Sequence, residues 1–514
     1  MEAAFTTILI RVATGLFLWY IISALWHYSL FYRMGIPGPR PYPVLGTFGY
    51  MIRQGFRDFQ ISNYERYRGN KVYGIFDGAQ PMLVLRDLDM IRDVCVKHFN
   101  SFVNRRSFAL QPPADHVLNM LKDDHWKNVR SVVSPTFSSG RVRRMYPHVA
   151  LSTTNLVKRL KESAESGEMI ELKDTISRFS VDVIAGAGFG VQINSHEDTE
   201  NNLVNAIRDM IGHSGVRAFV TFFCPWLVSV FNFLGLNMYA TKSRKIFFSF
   251  VDAALEKRKE EKAGGLPKRN DFLQLMLEAQ DDGSDFMNDN LSREEEKALN
   301  TGTTRKPLTH LDYQGQALIF VLGAYDTLSS VISFTLFILS LNPECLRRVQ
   351  EEIDEKLRGK AIPSMEEASE LTYLDMCVNE SIRMFPPGVL LDRMCNKECT
   401  VQGVRIPKGV GVSFHVYAIH HDPELWPDPE IFNPERFTPE NKANRHPVAH
   451  MSFGHGPRNC VGMRLAQLEI KVALAGILRH LTPVPCEKTV YPVKLEKIEL
   501  RALDGLWSKM ETRK

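Results

Sequence analysis

One long apolar stretch, residues 317–341, constrains the fold more than any other part of the sequence. Its 25 residues contain a single charged side chain, Asp326, near the middle. Thr309 and Asp312 precede it at the spacing of a helix N-cap and capping box, and Pro343 follows its end, so the sequence predicts a helix of about 30 residues. A carboxylate at the centre of a bilayer is costly. We therefore expect this helix to run through the core of a large folded body.

The remaining sequence is ordinary in composition and mainly helical in pattern. The chain has 514 residues, 24% of them charged, and a net charge of +4, which excludes a disordered chain and argues against a nucleic-acid partner. The mean hydropathy of −0.18 excludes a polytopic membrane protein. Helical spacing recurs at 151–166, 172–184, 239–262, 344–357 and 465–481, and strand-like pieces occur at 71–76, 82–85 and 400–406. We predict one large, mainly helical domain instead of the three or so that length suggests.

The N-terminus has the features of a membrane anchor. Residues 12–32 contain no Asp, Glu, Lys or Arg, and 21 residues are enough for a helix to cross a bilayer. No small-residue cleavage site ends the run, and Arg33 and Arg40 follow it, which favours an uncleaved anchor with the rest of the chain in the cytosol. A buried core helix is the alternative. The predicted division is an anchor over 1–33, a Pro/Gly-rich linker over 34–46 and a folded domain over 47–514.

Two internal segments have unusual composition. Residues 218–240 carry no charge but are interrupted by Pro225 and Gly235, which predicts a membrane-dipping or substrate-facing segment and not a span. Residues 281–307 are dense in polar residues and predict a solvated loop before the long helix.

One of the eight cysteines has surroundings suited to chemistry. Cysteines are too sparse for a disulfide scaffold, and the close pair Cys395 and Cys399 lacks a second pair at zinc-binding spacing. Cys460 lies in the sequence Phe-Gly-His-Gly-Pro-Arg-Asn-Cys-Val-Gly, directly before a predicted helix whose N-terminus favours a thiolate. The glycines let the backbone approach a flat cofactor, and Arg458 can pair with a carboxylate on it. A haem with its two propionates fits these properties, and a buried structural cysteine is the alternative.

On this motif the sequence resembles the cytochrome P450 family. Phe453, Gly456, Arg458, Cys460 and Gly462 match its haem-binding signature F-x-x-G-x-R-x-C-x-G. The resemblance implies the cytochrome P450 fold, a large helical domain with small β-sheets behind an N-terminal transmembrane helix. It also implies haem b as cofactor, with Cys460 as the axial ligand of the iron.

Two further motifs extend the resemblance along the chain. Glu380-Ser-Ile-Arg383 resembles the family's E-x-x-R, and Pro434-Glu-Arg436-Phe resembles its P-E-R-F. The resemblance implies that Glu380, Arg383 and Arg436 form an ion-paired core that fixes the loop behind the haem, a structural and not a catalytic role.

The resemblance also implies a set of residues that hold the haem. Trp126 and Arg130 are one turn apart on a helix face and resemble the family's W-x-x-x-R propionate contacts, whereas ordinary surface charge is the alternative for the arginines. The expected set is Cys460, Arg458, Trp126, Arg130, Arg393, Arg105 and Phe453.

The long helix carries a motif similar to the family's oxygen-activation sequence [AG]-G-x-[DE]-T. It reads Gly323-Ala-Tyr-Asp-Thr, so Asp326 and Thr327 are the expected catalytic pair. A buried acid beside a hydroxyl can relay protons during oxygen activation. Ala324 stands where the family usually has glycine, which leaves the acid and the alcohol intact.

The resemblance is closest to the microsomal subgroup around family three. It implies a monooxygenase that oxidises lipophilic small molecules, such as xenobiotics, steroids or other lipids, with O₂ and electrons from NADPH through the NADPH–cytochrome P450 reductase. Cytochrome b5 and membrane lipid are further expected partners, in the endoplasmic reticulum membrane with the catalytic domain facing the cytosol. The pocket is expected to be lined by residues from 107–117, 216–233, 319–327 and 389–391.

The sequence bears on three other functions. A glycine-rich run at 186–190 mimics a dinucleotide fingerprint, but its third glycine would fall on Val191, so NAD binding is not expected. A haem-thiolate isomerase that acts on lipid peroxides without a reductase, and a non-catalytic haem or ligand-binding protein, are the alternatives. The retained pair of Asp326 and Thr327 argues against both.

Overall fold

The computed structural model describes residues 14–15, 22–43, 45–108, 110–198, 200–211, 241–265, 268–281, 306–496 and 501–513. The predicted segment at 218–240, most of the predicted loop at 281–307 and the first part of the predicted anchor lie outside these residues.

Helices make up most of the structure, as the periodicity predicts. The predicted helix at 151–166 is the second half of a longer one, and the other four agree with the structure to within one or two residues. The α-helices are Leu30–Arg33, Phe48–Gln54, Phe56–Arg66, Leu88–Cys95, Asp123–Val133, Ser139–Ser166, Leu172–Val183, Asn202–Ile211, Thr241–Ala263, Phe272–Asp281, His310–Ser340, Pro343–Leu357, Met365–Glu370, Thr372–Met384, Val416–His420, Pro439–Asn444 and Met463–His480.

The central helix, His310–Ser340, is the axis of the fold. Thr309 caps it, because its hydroxyl accepts a hydrogen bond from the Asp312 N–H while the Asp312 carboxylate accepts one from the Thr309 N–H. It packs against Leu172–Val183 and Met463–His480. Among the described helices it alone is long and apolar enough to cross a bilayer, yet most of its apolar stretch is buried inside the protein. The prediction of a buried core helix is confirmed.

In the described residues, three small β-sheets flank the helices. Their strands are β1 Val72–Asp77, β2 Gln80–Leu85, β3 Ile170–Glu171, β4 Leu391–Met394, β5 Cys399–Val401, β6 Val404–Ile406, β7 Gly411–Phe414, β8 Leu481–Val484 and β9 Trp507–Thr512. The first sheet has the strand order β1-β2-β7-β4, in which β2 and β7 are parallel and the other pairs antiparallel. The second has the order β3-β9-β8, and β5 and β6 form a hairpin.

The predicted strand at 400–406 is two strands. Gln402 and Gly403 have φ angles of 45° and 84°, which form a tight turn between β5 and β6. Two consecutive residues with positive φ are the mark of a two-residue hairpin, and glycine adopts that conformation without strain.

The segment predicted as a linker runs along β1. Pro37 accepts a hydrogen bond from the Gly74 N–H at 2.8 Å, and a Cβ atom on Gly38 would lie 2.1 Å from the Gly74 carbonyl oxygen. Just before it, Phe31 is buried against Gly74 and Phe76, whereas Trp26 is exposed. The chain therefore leaves the predicted anchor and docks at once onto the first sheet.

A buried ion-paired core joins three distant segments, as the resemblance implies. The guanidinium of Arg383 donates two hydrogen bonds to the Glu380 carboxylate, at 2.8 and 2.9 Å, and neither side chain has exposed surface. Arg436 donates to the same carboxylate at 3.2 Å. The remaining donors of Arg383 reach the carbonyl oxygens of His420 and Pro429. These contacts fix the segment that leads to the cysteine loop.

Neutralising Glu380 is expected to destabilise the fold severely. Glu380→Gln leaves Arg383 and Arg436 without a balancing charge in the interior, and removing one partner of a buried pair costs about 3–5 kcal/mol. Urea unfolding followed by circular dichroism measures the loss.

The chain offers a matched control with the same spacing. Glu344 and Arg347 also form an E-x-x-R pair, at 2.6 Å, but on an exposed helix face. Glu344→Gln is expected to leave the unfolding midpoint nearly unchanged, because exposed pairs contribute little. Equal losses in the two variants would contradict a special role for the buried core.

Candidate haem site

The loop before the last long helix is closed by its own backbone. The Cys460 N–H donates to the Phe453 carbonyl at 2.8 Å, and the Asn459 N–H donates to the Gly456 carbonyl at 2.9 Å. Gly454 and Gly456 have φ angles of 76° and 75°. A Cβ atom at Gly456 would lie only 2.3 Å from the carbonyl oxygen of Cys95. The turn therefore requires glycine there, both for backbone conformation and for space.

Cys460 presents its sulfur to a cavity beside the N-terminus of the helix Met463–His480. The thiol has exposed surface, but it opens on the cavity walls and not on bulk solvent. Burial raises the pKa of the thiol, whereas a hydrogen bond from the Gly462 N–H and the charges of Arg130 and Arg105 lower it. The net shift of the Cys460 pKa is upward, so the neutral thiol is favoured until a metal ion binds, because thiolate is the form that coordinates metals.

The cavity has a volume of about 420 Å³, within the usual range for small-molecule and cofactor sites. It brings together seven of the nine predicted site residues. On its wall lie Cys460, Arg458, Trp126, Arg130, Arg105, Phe453 and Thr327. Apolar side chains cover most of the rest, among them Val133, Phe137, Phe272, Ile319, Phe320, Leu328, Val331, Leu391 and Leu465.

Four arginines crowd one side of this cavity. Burial, followed by repulsion from Arg105, Arg393 and Arg130, lowers the pKa of Arg458 to about 8, and the nearby carboxylate of Asp392 offsets this only in part. Burial and the charge of Arg393 lower the pKa of Arg105 to about 10. Arginine remains protonated in proteins, so these pKa shifts show that the positive charges of the cluster are only partly balanced by nearby carboxylates.

A haem fits this cluster. The buried Nε atoms of Arg105 and Arg393 have no hydrogen-bond partner among the described residues. Two propionates would supply the missing negative charge for the cluster and an acceptor for Arg105 on the cavity wall, since arginine forms its strongest hydrogen bonds with carboxylates. The donor set, the glycine loop and the thiol of Cys460 are thus suited to a flat dianionic cofactor that binds through its metal.

Two arginines also hold the site together. Arg458 donates to the carbonyl oxygens of Val103, Leu118 and Leu121, and its guanidinium lies 4.1 Å from the centre of the Trp126 ring. Arg130 donates to the backbone and side-chain oxygens of Asn459, the residue before the cysteine, at 3.1 and 2.8 Å. These contacts position the cysteine loop whether or not the same arginines reach a propionate.

Arg393 is one predicted residue that does not line the described cavity. It lies on β4, is almost completely buried and donates to the carbonyl oxygen of Asp392 at 2.7 Å. It acts on the site through its charge, which lowers the pKa of Arg105 and Arg458.

The prediction of Asp326 as a buried acid is wrong. Its side chain is 65% exposed, and it pairs with Lys173 at 2.7 Å on the side of the central helix away from the cavity. Ala324, Thr327 and Leu328 line the cavity, whereas Asp326 is not on its wall. Thr327 does line it, and its hydroxyl donates to the Gly323 carbonyl within the helix.

The central helix remains α-helical throughout this region, with Ala324 on the cavity wall. The pocket prediction is confirmed for 319–327 and for Leu391, whereas 216–233 lies outside the described residues. The prediction for 107–117 is wrong, because none of its described residues lies on the wall; Leu118 and Asn119, which follow directly, do.

Sequence reasoning missed two polar groups at the site. Lys173 reaches the central helix from Leu172–Val183, and only the tertiary structure brings them together. Glu469 lies on the cavity wall, and burial raises its pKa to about 8, so this carboxyl is mainly neutral at physiological pH. It stands in an ordinary amphipathic helix, and nothing in the local sequence singles it out.

Comparison with known proteins agrees with this geometry. The sequence model of the family described as Cytochrome P450 matches residues 36–504. Cytochrome P450 3A41 of Mus musculus is 37% identical over 473 residues, which cover 91% of this chain and 90% of the relative. Cytochrome P450 3A7 of Homo sapiens is 37% identical over 488 residues, which cover 94% of this chain and 92% of the relative.

These similarities extend over nearly the whole chain and include the cysteine loop, the buried ion-paired core and the central helix. The protein is an oxidoreductase with haem b as its cofactor, bound through a cysteine thiolate. By its sequence, its fold and its arginine-lined cavity, the chain belongs to the cytochrome P450 family of haem-thiolate monooxygenases.

Proposed function

We propose that this protein oxidises lipophilic small molecules with O₂, taking electrons from NADPH through the membrane-bound NADPH–cytochrome P450 reductase. The observation that carries the proposal is one cavity lined by the thiol of Cys460, the hydroxyl of Thr327 and a predominantly apolar wall. Such a wall binds apolar molecules by removing their surface from water. The substrate class is a xenobiotic, a steroid or another lipid.

When bound, the haem supplies oxygen activation, with electron donation from the thiolate. Cys460 would hold the iron, and the backbone of its loop fixes the sulfur. The propionates would be held by Arg105, Arg130 and Arg458. Arg393 would add positive charge from outside the cavity wall, and Trp126 would pack against the Arg458 guanidinium. Phe453 closes the cavity beside the cysteine.

Asp326 and Thr327 would move protons from solvent to the cavity. Asp326 is exposed and receives a hydrogen bond from Lys173 at 2.7 Å, so it can exchange protons with water. Thr327 is the next residue and faces the cavity. Its hydroxyl now donates to the Gly323 carbonyl, so it must rotate, or accept a bridging water, before it can donate into the cavity.

The exposed apolar side chains of the N-terminal segment support a location of this protein on the endoplasmic reticulum membrane, with its catalytic domain in the cytosol. Ile22, Leu25 and Trp26 are about two-thirds exposed, although apolar side chains are normally buried. Phe31 then docks the segment onto β1, so residues 1–33 would anchor the domain and residues 34–46 would hold it close to the bilayer. The same membrane would deliver lipophilic substrates, the reductase and cytochrome b5.

Removing the thiol is expected to abolish both haem-thiolate spectroscopy and product formation. In a reconstituted system with reductase, NADPH and a panel of lipophilic compounds, the wild type should yield oxygenated products. Cys460→Ala should yield none, and its reduced carbon monoxide complex should lack the red-shifted absorption band. Cys486→Ala is the matched control, since Cys486 lies outside the cavity wall. A red-shifted band in Cys460→Ala would refute the ligand assignment.

Removing the hydroxyl of Thr327 is expected to uncouple electron use from product formation. Thr327→Ala should consume NADPH but release more hydrogen peroxide, with at least a several-fold fall in product per NADPH, because a proton donor is lost from the cavity. Ser329→Ala is the control, because Ser329 bonds a carbonyl of the same helix but does not line the cavity. Unchanged coupling in Thr327→Ala would exclude the relay.

Deleting residues 1–33 is expected to weaken membrane association. The truncated protein should shift from the microsomal pellet towards the supernatant, with its carbon monoxide spectrum retained, because the apolar anchor is lost while the haem site is intact. Trp26→Ala in the full chain tests the contribution of one interfacial side chain and should have a smaller effect. Complete pelleting of the truncated protein would show that the anchor lies elsewhere.

A further inference from the structure

Two histidines and an aspartate from three segments meet outside the haem cavity. His116 Nδ1 and His125 Nε2 lie 2.9 and 2.8 Å from the same oxygen, Oδ1 of Asp312. All potential ligand atoms of this His–Asp–His cluster lie within 4.8 Å of one another. His116 ends a 3-10 turn, His125 lies in the first turn of Asp123–Val133 and Asp312 in the first turn of the central helix.

The carboxylate is oriented by its second oxygen. Asp312 Oδ2 accepts hydrogen bonds from the N–H and the hydroxyl of Thr309, at 2.9 and 2.7 Å. The side chain is only 2% exposed. Burial alone would raise its pKa, but the hydrogen bonds from His116 and Thr309 hold the pKa of Asp312 below its ordinary value. The oxygen that faces the histidines therefore belongs to a fixed carboxylate, the kind of outer-shell support that metal ligands have in proteins.

The backbone of His116 is fixed to the same helix. Its carbonyl oxygen accepts a hydrogen bond from Gln316 Nε2 at 2.8 Å. Gly315 allows this approach, since a Cβ atom there would lie 2.5 Å from the same oxygen. The first histidine and the carboxylate are thus held in place before any ion arrives.

His125 gives access from solvent. Its side chain is 44% exposed, compared with 21% for His116. An ion can enter on this side, and water can complete its coordination there. Two imidazole nitrogens and one carboxylate oxygen suit borderline-soft divalent cations such as Zn²⁺, whereas Mg²⁺ and Ca²⁺ prefer oxygen ligands.

We propose that His116, His125 and Asp312 form a binding site for a divalent transition-metal cation of the Zn²⁺ class, separate from the haem. Zinc ligands at about 2.0–2.2 Å in a tetrahedron are about 3.3 Å apart. Each nitrogen–oxygen distance in the cluster need therefore widen by only about half an ångström. Each histidine binds the ion through an unprotonated ring nitrogen: a neutral imidazole moves its proton to the other ring nitrogen, and a protonated one releases a proton to solvent.

The bound cation would stabilise one wall of the haem cavity. The chain from His116 to Leu121 lies between the cluster and Arg458, which donates to the carbonyl oxygens of Leu118 and Leu121. Gln316 bonds His116 and also lines the cavity. A ligand that binds only the folded state raises its stability, so the cation should stabilise this wall and with it the whole domain.

The test is Zn²⁺ binding by the purified, haem-loaded full-length protein after treatment with a chelator. Equilibrium dialysis should show one tight Zn²⁺ per chain in the wild type, and His116→Ala or His125→Ala should weaken that site at least tenfold. His310→Ala is the matched control, because His310 pairs with a single carboxylate, Asp252, at 3.0 Å. It should bind like the wild type.

Thermal unfolding provides a second measurement. Zn²⁺ should raise the melting temperature of the wild type and of His310→Ala but not that of His125→Ala, and Mg²⁺ should raise none of them. His125 is half-exposed, so its variant should fold, which the carbon monoxide spectrum checks. Equal Zn²⁺ affinity in the wild type and both cluster variants, or no saturable binding to the wild type, would overturn the proposal.

Discussion

Glu380 and Arg383 form a fully buried ion pair, and the position of the cysteine loop depends on it. Arg383 donates to the His420 carbonyl, and the His420 Nε2 atom accepts the Met451 N–H at 3.0 Å. From Met451 the chain turns at once into the loop that ends at Cys460. Buried charge tolerates few alternative arrangements, because moving one partner leaves the other unbalanced in a medium of low dielectric constant. The position of the sulfur follows from that constraint.

At the cavity itself, the positive charges of the arginine cluster are only partly balanced. Arg105, Arg393 and Arg130 are close enough to lower the pKa of Arg458, Arg393 also lowers that of Arg105, and the carboxylate of Asp392 compensates only in part. A protein interior does not normally gather positive charges with so little compensating negative charge. The cluster makes physical sense as one half of an ionic interaction whose other half is the cofactor. The two buried charge groups therefore differ: the first is balanced and holds the fold, and the second is only partly balanced, which suits it to an anionic cofactor.

The central helix connects these functions with the surface. Its cap is part of the His–Asp–His cluster, its middle supplies Thr327 to the cavity, and the exposed Asp326 pairs with the mostly buried Lys173 outside the cavity wall. A helix can serve all three because its residues face in different directions while its backbone remains rigid. Most of the predicted site residues could be identified from the sequence, because they lie in short motifs. The exposure of Asp326 was not, because the motif contains the residue type and not the packing of Leu172–Val183 beside it.

By itself the sequence determined the chemistry. The family and the cofactor followed from Cys460 among glycines, the E-x-x-R and P-E-R-F motifs and the apolar stretch around Asp326, because each depends on residues close together in the chain. The tertiary structure alone decided which side chains line the cavity, that Arg393 acts from behind it, and that Lys173 pairs with Asp326. It also brought His116 and His125 to Asp312, almost two hundred residues further along the chain. Such long-range contacts depend on how helices and loops pack against one another, so local sequence patterns cannot predict them.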